Sequence, residues 1–106
     1  MNNFKIIYRI LKYLETRMDT PYATMEDLDP DRLGVSRNRL ERLLREMERE
    51  GYIAGLLWNQ SFSDPVPHVV PCSRVEITLK GLEYLSENSM MQKAGNLLKS
   101  AAELAL

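Results

Sequence analysis

The chain has 106 residues, 44% of them hydrophobic and 27% charged, which suits one compact domain and leaves no room for a second core. Fourteen Lys and Arg against fifteen Asp and Glu give a formal net charge of -1, so bulk attraction to a polyanion is excluded and any nucleic-acid surface has to be a local patch. The single cysteine, Cys72, excludes an intrachain disulfide and a Cys-rich zinc site, and agrees with a reducing compartment, so a cytoplasmic protein is expected. Lys5, Arg9, Lys12, Glu15 and Arg17 interrupt the segment from Met1 to Met18, which leaves neither a signal-peptide core nor the run of about 20 apolar residues that spans a membrane.

Phe4, Ile7, Leu11, Leu14 and Met18 recur at steps of three and four, with Ile6, Ile10 and Tyr13 widening the stripe, and this spacing predicts a first amphipathic helix. Lys5, Arg9 and Lys12 occupy its other face. Thr20-Pro21 ends it, because proline cannot continue a helix interior and biases the residue before it towards extended geometry. Thr24 as N-cap with Asp27 three residues on predicts a short second helix with Met25 and Leu28 as its core residues. Asp29-Pro30-Asp31 predicts a break and restart, since it supplies a cap, a proline at the first helical position and an acid near the positive end of the dipole. Gly34 stops that helix, and Ser36 is placed to cap the next by accepting a backbone N–H bond. The third helix, from Arg37 to about Glu50, is expected to bury Leu40, Leu43, Leu44 and Met47, with Gly51 as its left-handed C-cap.

Beyond Gly51 the period changes. Tyr52 to Trp58 reads as a strand, with Ile53 and Leu57 on one side and Leu56 and Trp58 on the other. Arg74 to Leu79 alternates, with Val75, Ile77 and Leu79 facing in and Arg74, Glu76 and Thr78 facing out, and is expected to pair antiparallel with the first strand. Between them, Pro65, Pro67 and Pro71 with Ser61, Ser63 and Asp64 predict a long loop over 59–73 without regular structure. Thr78 is placed to cap a further helix in which Leu82 and Leu85 face inward and Gly81 permits close approach to the sheet. The expected fold is therefore α+β and mostly α. It is a winged helix-turn-helix of three helices and a two-stranded β wing over residues 1–89, with additional C-terminal helices. Residues 90–106 form a separate amphipathic segment with Met91, Ala94, Leu97, Leu98 and Ala101 on its apolar face. It either folds back on the domain or joins a second chain, and a homodimer is the preferred expectation.

The segment Ile77-Thr78-Leu79-Lys80-Gly81-Leu82-Glu83-Tyr84-Leu85 resembles the closing strand and helix of winged-helix proteins. More narrowly, Arg49-Glu50-Gly51-Tyr52-Ile53-Ala54-Gly55, the Thr78-Leu79-Lys80-Gly81 run, Tyr84-Leu85-Ser86-Glu87-Asn88 and Lys93-Ala94 resemble the YjcQ-like family of small bacterial and prophage proteins, over nearly the whole chain. The resemblance implies the fold and a bacterial or phage origin, and names no substrate.

Asn38, Arg42, Arg45 and Arg49 fall in one stripe opposite the buried face of the third helix, with Arg37 and Arg39 beside it in the first turn. Glu41 and Glu48 flank the stripe on one side, Glu46 and Glu50 on the other. A solvated helix knitted by pairs such as Glu41 with Arg45 and Arg42 with Glu46, each worth about 0.2 to 0.5 kcal/mol, is one reading. The other is a reader of double-stranded DNA, in which Ser36, Arg37, Asn38, Arg39 and Arg42 enter the major groove. Asn38 would then face adenine and Arg42 guanine, with Arg37, Arg39 and Arg45 on phosphates, Arg49 continuing the stripe, and Lys5, Arg9 and Arg74 as weaker backbone contacts. The acidic run Glu26, Asp27, Asp29 and Asp31 on the preceding helix opposes this.

The expectation is a DNA-binding transcriptional regulator, and the alternative is a non-catalytic winged-helix module that docks another protein. No enzyme is expected. His68 is the sole histidine and has no partner at ligand spacing, and no Gly-rich phosphate loop occurs. Asp27, Asp29 and Asp31 lack the glycine and distal glutamate of a calcium loop. No metal, cofactor or small-molecule ligand is anticipated, and Tyr52 and Trp58 are expected to close the core against the third helix.

Overall fold

The computed structural model describes residues 2–88. The elements are α1 (Asn3–Thr16), β1 (Ala23–Thr24), a 3-10 turn (Met25–Asp27), α2 (Pro30–Leu33), α3 (Arg37–Arg49), β2 (Ile53–Ala54), β3 (Trp58–Asn59), β4 (His68–Val69) and β5 (Arg74–Ile77), followed by α4, described over 79–88. The class is α+β, with helices predominating and two small antiparallel sheets. The amphipathic segment 90–106, with Met91, Ala94, Leu97, Leu98 and Ala101, lies outside the described residues. Among the described residues no helix is long and apolar enough to cross a membrane.

Helix α1 starts where the Asn2 side chain accepts the Phe4 N–H at 2.9 Å. It buries Ile6, Ile10, Leu11 and Leu14. Two residues of the expected stripe are not in the core. Phe4 is 69% exposed on the first turn, and Met18 lies past the helix end in a turn where its own N–H reaches the Glu15 carbonyl. The helix stops at Thr16, ahead of Pro21, and the Thr20 hydroxyl closes the turn by donating to the Arg17 carbonyl at 2.7 Å. The periodicity therefore continued to Met18 although the helix did not.

A second helix beginning directly at Thr24 is not found. Ala23 and Thr24 form a strand opposite Val75 and Arg74, and only then does a single 3-10 turn follow. The Asp27 carboxylate accepts the Thr24 N–H at 3.1 Å, so the expected cap partner is present on a shorter element. Met25 and Leu28 are buried as expected. Asp29 then caps α2 by accepting the Asp31 N–H at 3.0 Å, Gly34 closes it at φ 70°, and the Ser36 hydroxyl accepts the Arg39 N–H at 3.1 Å to open α3. At the other end of α3, Gly51 at φ 85° lets the Tyr52 N–H reach the Met47 carbonyl at 2.9 Å, the backbone bond of a glycine-terminated helix. Leu40, Leu44 and Met47 are buried, whereas Leu43 is half-buried at the margin of the core.

The main sheet has the order β1-β5-β2, with Ile53 opposite Ile77 and Ala54 opposite Glu76. The continuous strand expected over 52–58 is broken at Gly55, which sits at φ 93° where a Cβ would overlap the Arg74 carbonyl oxygen. That kink turns Leu57 out to solvent and starts β3, which pairs Trp58 with Val69 and Asn59 with His68. Residues 59–73 are therefore not free of regular structure. Their prolines fall outside the paired residues, Pro65 and Pro67 in the hairpin tip and Pro71 in the turn after β4. Ser73, fully buried, joins the two sheets. Its hydroxyl accepts the Leu57 N–H at 3.0 Å, and its carbonyl accepts the Met25 N–H at 3.3 Å. Leu79, expected to face in, is 80% exposed, because β5 ends at Ile77 and the alternation ends with it. Thr78 accepts the Gly81 N–H at 3.1 Å and opens α4, while Gly81 passes against the Tyr52 carbonyl and Ile77 and Leu85 is buried. Ile10 and Leu11 of α1, Leu44 and Met47 of α3 and Ile53 of β2 form the fully buried centre. Helix α3 is thereby held with its opposite face to solvent.

Candidate nucleic-acid interface

Along α3, Ser36, Arg37, Asn38, Arg39, Arg42 and Arg49 are exposed and Arg45 is half-buried. Three shallow clefts follow one another along this face. The first is lined by Asn3, Ser36, Asn38, Arg39 and Arg42, and there the Arg39 guanidinium donates to the Asn3 side chain at 2.9 Å. The second is lined by Asn38, Glu41, Arg42 and Arg45, with Asp64, Val66 and His68 of the β3–β4 hairpin as its far wall. The third lies between Arg45, Glu48 and Arg49 and the hairpin residues Trp58, Gln60 and Pro67. The row of arginines is thus bordered by the start of α1 on one side and by the hairpin on the other, with Glu41, Glu48 and Asp64 in the cleft walls.

Two of the flanking acids in these clefts are bonded to the hairpin. Glu41 is 5% exposed and meets His68 Nδ1 through Oε2 at 2.9 Å. Glu48 accepts the Trp58 Nε1–H at 3.0 Å and the Leu56 N–H at 3.1 Å, which fixes the hairpin's first strand to α3. Trp58 accordingly packs against the core, as expected, with the Arg45 guanidinium over its ring at 5.9 Å. The expected Arg42–Glu46 pair is present at 3.8 Å, and Glu46 also meets Arg49 at 3.1 Å. The expected Glu41–Arg45 pair is not found among the described residues, because His68 has taken Glu41. Exposed pairs of this kind contribute about 0 to 1 kcal/mol, too little to withhold Arg42 or Arg49 from a stronger anion.

The acidic run borders one end only. Arg37 shares a cleft with Glu26, Asp29 and Glu41, and further along the face the arginines stand beside Glu41, Asp64, Glu46 and Glu48, each of which has a hydrogen-bond or ion-pair partner. The Asp27 and Asp29 carboxylates are engaged in capping. Arg74 is not brought to the stripe. Its guanidinium lies over the Tyr22 ring at 4.5 Å, in a cleft that no α3 residue lines. Arg9 donates to the Arg32 carbonyl at 3.2 Å and ties α1 to α2, while Lys5 is exposed.

His68 has two carboxylate partners, Asp64 four residues before it and Glu41 on α3, which only the fold brings near. Nδ1 meets Glu41 at 2.9 Å, and Nε2 meets Asp64 at 2.7 Å. Carboxylates only accept, and a neutral imidazole has one N–H, so both bonds together require the imidazolium. The hydrogen bond to Asp64, and then that to Glu41, raise the His68 pKa above its ordinary 6.5, and His68 in turn lowers that of Asp64. The two carboxylates approach opposite ring nitrogens and do not converge on a common point. Among the described residues no group of three His, Cys, Asp or Glu is arranged to hold a metal ion, and Cys72 is exposed.

The latch between hairpin and helix has a defined pH window. Because the folded pKa of His68 is raised, its contribution is fully present below pH 6.5 and is lost as pH climbs through the raised value. Because the folded pKa of Asp64 is lowered, its share is present above 3.8 and lost as pH falls through the lowered value. Nitrogen NMR of the His68 ring should show both nitrogens protonated at pH 6.5, with a midpoint that falls on Glu41→Gln or Asp64→Asn substitution. A midpoint at or below 6.5 in the unsubstituted protein contradicts the latch.

Fold and site together define a small α+β protein that displays the basic face of one helix beside a proline-bearing hairpin. The chain belongs to the YjcQ family: the family model described as YjcQ protein matches residues 8–104. It is 33% identical over 99 residues, 93% of each chain, to a protein of Bacillus subtilis (strain 168) described as "Uncharacterized protein YjcQ". No solved structure matches the chain. The family expected from the segments at 49–55, 78–81 and 84–88 is therefore the correct one.

Proposed function

We propose that this protein is a winged-helix DNA-binding regulator that reads double-stranded DNA with α3, and that it is not an enzyme. The observation that carries the reading is the stripe Asn38, Arg42, Arg45 and Arg49, with Arg39 beside it, outward on a helix whose opposite face is fixed in the core, while the neighbouring Glu41 and Glu48 are hydrogen-bonded to hairpin groups. The architecture supports it. Helices α2 and α3 are joined by the three residues Gly34, Val35 and Ser36, a helix-turn-helix connection. A strand between the first two helices pairs with the last strand of the sheet, and a hairpin projects beside α3, an arrangement resembling winged-helix domains.

An α-helix about 10–12 Å across fits a major groove about 12 Å wide. In that pose the N-terminal half of α3 faces base edges. Asn38 offers the donor and acceptor pair that complements adenine, and Arg42 the fork that complements guanine N7 and O6. Arg39 beside the stripe and Arg45 and Arg49 in its C-terminal half contact phosphates, as does Arg37 beside the acids, while the Ser36-capped helix end adds its dipole. A homodimer formed through residues 90–106 would present two such helices to half-sites about 34 Å apart.

A second reading, docking of another protein, draws on the exposed apolar side chains of the hairpin region, Phe62 at its tip together with Leu57 and Val66. Titration of a mixed-sequence duplex from about 50 to 200 mM salt distinguishes the two. The DNA reading predicts that log K falls with log salt at about -0.9 per phosphate engaged, a total near about -3 to -4 for one chain. Absence of binding at the lowest salt overturns it.

A further inference from the structure

We propose that the cleft between the end of α1 and β5 binds a small organic anion, a carboxylate carried on an apolar body. The cleft has a volume of about 400 Å³, within the roughly 300–1,000 Å³ of small-molecule sites. Leu14, Met18, Val75 and Ile77 supply apolar wall, and Arg17, Arg74 and Glu76 the charges, so cations exceed acids. Neither arginine forms an ion pair among the described residues.

The state of Arg17 points to a missing acceptor. Its Nη2 donates to the Tyr22 carbonyl over a long 3.3 Å, while its Nε is buried with no hydrogen-bond partner among the described residues. A sequestered donor without an acceptor is unfavourable, and an anion entering the cleft gives the loosely held guanidinium a partner to turn towards. Arg74 stands on the other side of Tyr22, its guanidinium over the ring at 4.5 Å, which orients the planar fork that pairs with a carboxylate. The exposed apolar surface of Met18 and Tyr22 selects for the rest of the ligand, since inorganic phosphate would leave both uncovered. Nucleic acid bound on α3 is a different occupant of a different place, for no α3 residue lines this cleft. The inference accordingly stands or falls independently of the DNA reading.

The test is a titration of the full chain, followed by amide NMR, with three probes: 3-phenylpropionate, its neutral counterpart 3-phenylpropanol, and inorganic phosphate. The expected result is saturable shifts from 3-phenylpropionate at residues 17–23 and 74–77. The alcohol and phosphate should bind at least about tenfold more weakly, because each lacks one half of the match. Arg17→Gln with Arg74→Gln should remove the response while the spectrum stays dispersed. Should that pair fail to fold, Arg74→Lys alone serves, and it should weaken 3-phenylpropionate more than 3-phenylpropanol, since Lys keeps the charge and loses the fork. No saturable shift, shifts elsewhere, or an equal response to the alcohol overturns the site.

Discussion

Alanine at Arg39, Arg42 and Arg49 together should weaken duplex binding at least about a hundredfold and leave the fold intact. One guanine contact and two phosphate contacts are lost. At about 1 to 3 kcal/mol for the base contact and roughly one unit of salt slope for each phosphate, affinity at low salt should fall by about two orders of magnitude or more. The slope of log K against log salt should shrink by about 2. Thermal stability should hardly move. All three side chains are exposed, the Glu46 pairs they release are weak, and alanine is the best helix former. Arg74→Ala is the matched control, since it removes a cation from the far cleft and should leave DNA affinity within about twofold. A triple variant that binds DNA as tightly as the parent moves the interface off α3.

Alanine at Gly55 should be the most damaging small substitution in the sheet. The backbone there has φ 93°, which L side chains rarely adopt, and the added Cβ would overlap the Arg74 carbonyl oxygen, a backbone atom that cannot swing aside. Strain of about 1–3 kcal/mol from the dihedral alone, with the clash added, gives a loss of about 3 kcal/mol or more. At about 4–8 °C per kcal/mol for a domain of this size, Tm should drop by at least about 12 °C. Gly34→Ala isolates the dihedral cost, because Gly34 has φ 70° and nothing within 4 Å of its added Cβ. It should lose only about 1–2 kcal/mol. Equal losses at the two positions would mean that Gly55 does not lie against β5 as described.

These two outcomes draw on features of different legibility. Helix ends were readable wherever a residue type has a single chemical reason to be there. Ser36 caps α3, Asp29 caps α2, Gly34 and Gly51 close their helices, and Thr78 opens α4. The outward stripe on α3 was readable too, since a turn of about 100° per residue fixes which positions oppose Leu40, Leu44 and Met47. What stayed hidden is what the chain brings together from afar. A two-residue strand such as Ala23–Thr24 is shorter than any period that could announce it, and exists because Val75 and Arg74 are there to pair with it. The break at Gly55 depends on the approach of the Arg74 carbonyl, not on the run of apolar residues around it. His68 reads as isolated because Glu41 is 27 residues away, and only the β3–β4 pairing brings it to α3. Arg74 read as a weaker DNA-backbone contact, yet its cation lies on Tyr22. For Leu79 the alternation simply ran one residue pair too far, into a helix that Thr78 had already begun.

The central claim is that the outward face of α3 meets the duplex, and amide NMR of the chain with a mixed-sequence duplex at low salt tests it most directly. The account predicts shifts concentrated over residues 36–49, extending to the adjoining hairpin at 60–68 and absent from 17–23 and 74–77. Shifts confined to the α1–β5 cleft, or a spectrum that duplex DNA leaves unchanged, would contradict it.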